Sequence, residues 1–294
     1  MTNEKDNMPL VGRRPKYRNH VRWAIYRIHY GLDFLSQSIE SIRDDVDKMF
    51  ICYSLDPWVV KDKVSYLGEE IDMPRNPESV QQYLSTYDVD PKIDIFRAEF
   101  DTPLNQFREL YDMAREREGL LPSKVVFMEP DMVYKKGDLS KMFNDLNTLS
   151  DETMIPAIST YQIELWKTFK WRVPQRERTG PVIYNIDVTP GFTTHFGPEP
   201  GKCGSMVVHS DIKNYNFGFC LNSLTMYYKH LTAINFSKEI GDSIPSQEWY
   251  RDKWSNWVPE TEDLEIAENY KYLIKRAEPF DMPEEISDQM HGQI

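Results

Sequence analysis

Apolar residues recur with two periods along the first half of the chain. Trp23-Ala-Ile-Tyr-Arg-Ile-His-Tyr30 is an aromatic and β-branched run stopped at Gly31, which predicts a strand. Asp33 stands where it can cap a helix, and Leu35, Ile39, Ile42 and Val46 follow at helical spacing on one face. Lys48-Met-Phe-Ile-Cys-Tyr53 is a second strand, closed by Asp56-Pro57. Strand, helix and strand in succession make a βαβ unit with a parallel pair and a right-handed crossover.

The alternation then repeats. Ile93-Asp-Ile-Phe-Arg97 is a short strand, and Thr102-Pro103 starts a helix with proline where its missing N–H costs nothing. Leu104, Phe107, Leu110 and Ala114 form that helix's buried stripe, Gly119 ends it, and Lys124-Val-Val-Phe-Met128 is the next strand. After about residue 150 the texture changes. Met154–Ile158, Ile163–Trp166 and Pro181–Tyr184 are strand-like runs between turns, with Gly and Pro dense from 180 to 204. A helix returns over 221–240, with Leu221, Leu224, Tyr228 and Leu231 on one face and Gly241 as its C-cap. Tyr250, Trp254 and Trp257 form an aromatic stripe that reads first as core. The predicted organisation is a basic arm (1–20), an α/β half (21–150), a mixed β/helical half of the same domain (151–260) and an acidic tail (261–294).

Composition narrows the function. Apolar residues are 40% of the 294, enough to build a core and exclude general disorder. The net charge of −12 argues against a nucleic-acid polymer or an anionic membrane as partner, since both need a positive field. The charge is uneven: residues 260–294 carry ten acidic and three basic side chains, read as solvation. Lys167, Lys170, Arg172, Arg176 and Arg178 form a basic run that could meet an anion. Cys52, Cys203 and Cys220 are an odd count without metal-like spacing. Together with the lack of an apolar leader or membrane span, they lead us to expect a cytoplasmic protein.

In an open α/β sheet, ligands bind at the carboxyl ends of the strands. One such end carries Arg27, His29, Tyr30 and Gly31, a cation, π-faces and a glycine that suit a nucleotide. Another runs from Met128 into Glu129-Pro130-Asp131. Residues i and i+2 of an extended segment project to one side, so both carboxylates can converge. Such a pair repels unless a cation lies between, and Mg²⁺ or Mn²⁺ shared with phosphate oxygens is the usual answer.

These segments carry a resemblance. The first strand with Gly31, Asp33, Phe34, Leu35, Ser38 and Ile39, the Val46–Ile51 strand and Glu129-Pro-Asp131 resemble the nucleotide-sugar half of GT-A fold glycosyltransferases. Tyr228-Lys-His230-Leu, Ile240-Gly-Asp242 and Trp249-Tyr250 are similar to the closing part of such enzymes. Glu129 stands where that family's metal-binding Asp-x-Asp has its first aspartate, keeping charge and spacing. The resemblance implies an α/β, GT-A-like fold: a mostly parallel central sheet with flanking helices and an acceptor-side C-terminal half. It also implies a sugar transferred from a nucleoside diphosphate sugar to a glycan or other acceptor hydroxyl, with Mn²⁺ or Mg²⁺. Glu129 and Asp131 would hold the metal, with His230 as a further ligand and His209, then His195, as alternatives. Arg27 or Arg172 would stabilise the diphosphate, and Asp187, Asp211 and Asp242 are the candidate bases if the reaction inverts.

Three rivals remain open. A nucleotidyltransferase would show a Gly-rich loop after the first strand, where only Gly31 stands. A glycoside hydrolase needs two carboxylates further apart than i and i+2. A non-catalytic carbohydrate-binding protein would use Trp249, Trp254 and Trp257 as its platform.

Overall fold

The structure, a computed structural model, describes residues 21–290 except 55–61, 77, 101–102, 154, 156, 175–178, 187–191, 195–196, 199–206, 241–245 and 266–275. The first half contains β1 (Arg22–Ile28), α1 (Leu35–Ile42), β2 (Lys48–Tyr53), a β3–β4 hairpin (Lys63–Tyr66, Glu69–Asp72), α2 (Glu78–Ser85) and β5 (Ile93–Arg97). It continues through α3 (Pro103–Glu118), β6 (Lys124–Met128), β7 (Met132–Tyr134) and α4 (Asp138–Thr153). Then come β8 (Ala157–Trp166), β9 (Thr168–Arg172), β10 (Thr179–Asn185), the short β11 (Phe192–Thr194) and β12 (Gly197–Pro198), and β13 (Val207–Phe219). The chain ends with α5 (Ser223–Ile240), a π-helical turn (Tyr250–Ser255), β14 (Glu278–Pro279) and α6 (Glu284–Gln289).

One mixed sheet carries both halves of the chain, in the order β14-β9-β8-β10-β6-β1-β2-β5, with β13 beside β8 and β7 beside β13. The parallel part is β5-β2-β1-β6. Beyond it β10 runs antiparallel to both β6 and β8, so β8 again points the same way as β6, and β13 is parallel to β8. The carboxyl ends of β1, β6, β8 and β13 therefore lie at one edge of the sheet.

Period-two alternation divides the strands between two cores. Ala24, Tyr26 and Ile28 face α1 and α4, packing with Leu35, Ile39, Met142 and Phe143. Trp23 and Ile25 face α3, packing with Phe107, Leu110 and Ala114. A strand buried on both faces reads as a continuous apolar run, which is why β1, β2 and β6 were plain in the sequence. A third core gathers Ile163, Trp166, Phe217, Trp249 and Trp254 with Ile286 and Met290 of the acidic C-terminal stretch. That stretch is thus partly anchored, with β14 paired to β9, rather than given over to solvation.

Three local expectations are corrected. Asp33 does not cap α1: its Oδ1 accepts from Asn222 N (3.2 Å) and Nδ2 (2.7 Å), and Asn222 in turn caps α5 through Thr225 N (3.0 Å). The runs at 154–158 and 163–166 meet in one strand, β8, because β13 pairs with it from Ala157 to Trp166. On α5, Leu224 is exposed while Met226, His230, Leu231 and Ile234 are buried, so the inward face is rotated from the one expected. Gly241 lies outside the described residues. No helix among the described residues is long and apolar enough to cross a membrane.

Candidate functional site

Taken in chain order, the parallel strands lie 3-2-1-4 across the sheet, so the chain leaves β1 toward one side and reaches β6 on the other. Such a switch point opens a crevice outside the two carboxyl ends. Tyr26 pairs with Met128, which brings Arg27 and Glu129 to the rim together. They form an ion pair, and the Arg27 guanidinium lies 4.5 Å from the centre of the Phe107 ring. From α3, Gln106 Nε2 donates to the carbonyls of Ile28 (3.3 Å) and Cys52 (3.0 Å), closing off backbone acceptors at the strand ends.

A turn closed by Met132 N to Glu129 O (3.2 Å) swings Asp131 inward. Its backbone carbonyl accepts from Phe217 N at 2.8 Å, fixing it against β13. Asp131 Oδ2 lies 3.2 Å from Lys229 Nζ, while Oδ1 is buried with no hydrogen-bond partner among the described residues. Burial raises the Asp131 carboxyl above its ordinary range, Lys229 opposes that rise, and the charge of Glu129 adds to it. Glu129 thus acts on Asp131 across a turn and not along the extended segment that the spacing predicts. Gly218 permits the arrangement: a Cβ there would lie 2.7 Å from Asn216 Oδ1 and 3.1 Å from Asp131 Oδ2.

The end of β1 is roofed by α5. Tyr30 donates to Pro74 O (2.5 Å) and its ring lies 5.4 Å from that of Tyr228. Gly31 has φ +85°, and a Cβ there would come within 3.1 Å of Thr225 Cγ2. His29 packs on Tyr30 at 4.1 Å, and burial, helped by Arg27, pushes its pKa down to about 3, so its ring is neutral. His29 and Tyr30 are both buried.

Other expected site residues lie elsewhere. Arg172 pairs with Glu278 (3.1 Å) on β9, three strand steps from β6. His230 faces Gln247 O (3.3 Å) within the rings of Trp249 and Tyr66, at 5.4 and 5.8 Å. Burial lowers the His230 pKa. Adjacent helical residues point about 100° apart, so the turn that buries His230 aims Lys229 at Asp131. His209 is exposed and bonded through Nδ1 to Ser159 Oγ (2.8 Å). Asp211, also exposed on β13, is six residues before Phe217, about 20 Å along the strand. Asp187, Asp242, His195, Arg176 and Arg178 lie outside the described residues. Among the described residues no three His, Cys, Asp or Glu side chains gather as a metal site. Glu129 and Asp131 remain as a two-carboxylate pair, the number Mg²⁺ or Mn²⁺ takes when phosphates supply the rest.

No family model matches the chain, and no curated protein matches it. Among solved structures it is similar to residues 1–349 of S. aureus TarS, with 10% identity over 79% of this chain and 75% of that one, at a TM-score of 0.38. A likeness that distant carries no weight here, and function rests on the site.

Lys229 and Gly218 escaped the sequence pattern. Lys229 precedes His230, and a face drawn through Leu224 does not separate the two. Trp249 and Trp254 are buried, at 5% and 3% exposure, so the three tryptophans do not form an open sugar platform.

Proposed function

We propose that this protein is a glycosyltransferase that moves a sugar, of the hexosyl type, from a nucleoside diphosphate sugar to an acceptor hydroxyl. The observation that supports it is the carboxylate pair Glu129–Asp131 at the switch point, flanked by Arg27 and Lys229, with one buried Asp131 oxygen open. Glu129 and Asp131 would hold Mn²⁺ or Mg²⁺, which when bound would neutralise diphosphate charge. Arg27 is held at the rim by Phe107 and Glu129, so it can meet developing negative charge without reorganising. Lys229 can exchange its contact with Asp131 for one with a phosphate oxygen, because its side chain is 39% exposed and flexible. The bed of Tyr30, Gly31 and α5 bounds the crevice on the nucleotide side.

Thermal melting with UDP, GDP and dTDP, each with and without Mn²⁺ or Mg²⁺, tests this. At least one nucleoside diphosphate is expected to raise Tm when the ion is present and not without it. Equal melting temperatures across all combinations would sink it.

A further inference from the structure

β8 forms an overshoot past the end of β6: Tyr161 is its last residue paired with a described residue of β10, and the strand then runs on between β13 and β9 in the same sheet. In this overshoot the parallel register sets Gln162 beside Asn214 and Glu164 beside Asn216. With period-two alternation all four side chains share one face, while Ile163, Leu165, Tyr215 and Phe217 turn to the opposite face and join the third core. The polar face lies beside Met132 and Tyr134 of β7, which pair with Asn216 and Asn214, and its Asn216 end lies next to the Asp131 carboxylate. A Cβ on Gly218, two residues after Asn216, would touch Asn216 Oδ1, Asp131 Oδ2 and, at 3.5 Å, Lys229 Nζ.

Four polar side chains in a row on buried strands are costly unless they are satisfied. Glu164 accepts from Gln162 Nε2 at 3.1 Å. Yet Gln162 Oε1 and both amide atoms of Asn214 are buried without a hydrogen-bond partner among the described residues. Asn214 is completely buried and Gln162 is 5% exposed. Amides, which both donate and accept, alternating with a carboxylate that only accepts, match the hydroxyl pattern of a polyol.

We infer that this strip binds a hydroxyl-rich acceptor, a sugar or polyol, and that Glu164 takes the proton from its attacking hydroxyl. The inference rests on the glycosyltransferase proposal and names its acceptor side. The acceptor O–H proton passes to a Glu164 oxygen as the acceptor oxygen forms its bond to the sugar's anomeric carbon. The bond from that carbon to the diphosphate breaks, and its electron pair leaves with the nucleoside diphosphate. A single displacement of this kind inverts the anomeric centre. Glu164 takes the part for which Asp211 is too distant, one strand spacing, about 4.8 Å, from the Asn216 backbone.

The test measures nucleoside diphosphate release from UDP-, GDP- and dTDP-glucose, alone and with glycerol, glucose, galactose or N-acetylglucosamine. Wild type is expected to be accelerated by at least one of these acceptors, giving product of inverted configuration. Glu164→Gln should lower turnover about a hundredfold or more while keeping the melting shift with nucleoside diphosphate, and Glu164→Asp should recover part of the rate. Asn214→Leu replaces an unsatisfied amide with an apolar side chain of similar size. It should fold with equal or higher Tm but raise the acceptor KM. A wild-type rate in Glu164→Gln, retained configuration, no acceleration by any acceptor, or an Asn214→Leu protein that is less stable with unchanged acceptor kinetics each overturns the inference. If wild type shows no nucleotide melting shift, the glycosyltransferase proposal itself falls.

Discussion

Lys229, on α5, reaches Asp131, just before β7, with Nζ 3.2 Å from Oδ2. The carboxylate is almost wholly buried and the lysine only half so, which makes their removal unequal. Lys229→Met leaves a buried charge uncompensated and should cost about 1–3 kcal/mol, less than a fully buried pair because the lysine is partly solvated. Asp131→Asn leaves a neutral group and should cost less. In the double variant, Asp131→Asn should remove most of the penalty of Lys229→Met. Urea midpoints of the four proteins give the coupling, and strictly additive losses would show that the contact does not hold the site together.

Gly218 lets β13 approach the Asp131 carboxylate closely. A methyl group there meets Asn216 Oδ1 at 2.7 Å and Asp131 Oδ2 at 3.1 Å, inside ordinary contact. Gly218→Ala should therefore cost about 1–3 kcal/mol and abolish the melting shift given by nucleoside diphosphate with Mn²⁺. Gly119→Ala is the control: Gly119 has φ +64° at the end of α3, and an added Cβ meets nothing within 4 Å. It should cost stability through backbone strain and leave the nucleotide shift intact. Equal effects of the two substitutions on nucleotide binding would refute the packing role given to Gly218.

His29 should make stability depend on acid. Its folded pKa is pushed down to about 3 by burial and by Arg27, from an ordinary value of 6.5. Since the folded value is depressed, the unfolded chain binds a proton first as pH falls. The stabilising contribution is whole above pH 6.5 and is lost between there and about 3, at up to about 1.4 kcal/mol per pH unit. Replacing His29 with Gln should flatten that acid slope by close to one proton. Parallel curves of unfolding free energy against pH for the two proteins between pH 4 and 6 would refute the assignment.

The parallel half of the fold was legible because β1, β2 and β6 are buried on both sides and the edge strand β5 still carries apolar Ile93, Ile95 and Phe96. Lys48–Tyr53, Ile93–Arg97 and Lys124–Met128 run as predicted to the residue. Glu129 and Asp131 stood out as a carboxylate pair at spacing two after an apolar strand, but the turn that holds them did not. What packing decides was hidden. The stretch Ser159–Gln162 read as a break in β8, although its partners on β13, His209, Lys213 and Asn214, are polar as well. The β3–β4 hairpin turns at Leu67 and Gly68 with φ +50° and +86°, and Leu67 gives no turn signal. Lys229 and His230 could be told apart only by the rotation of α5, which depends on what it packs against. Glu164 looked like one more polar residue of a strand until the register set it beside Asn216.

Trp254 separates packing from sugar binding in the aromatic stripe. Its ring stacks on Tyr250 at 5.5 Å and 17°, with Lys167 Nζ 3.5 Å from its centre. Its Nε1 donates to Phe219 O at 2.9 Å, the carbonyl that also accepts from Lys167 N at 3.2 Å. The indole therefore ties the π-helical turn to the last residue of β13 and to the β8–β9 corner. Trp254→Ala should lose about 3–5 kcal/mol, and Trp254→Phe, which keeps a ring but strands the carbonyl of one donor, clearly less. Denaturant midpoints check both values. Because Gly218 precedes Phe219, Trp254→Ala should also weaken the nucleotide-dependent melting shift, while Trp254→Phe should keep it. A stable Trp254→Ala protein that had lost only affinity for free sugars would make the stripe a carbohydrate platform after all.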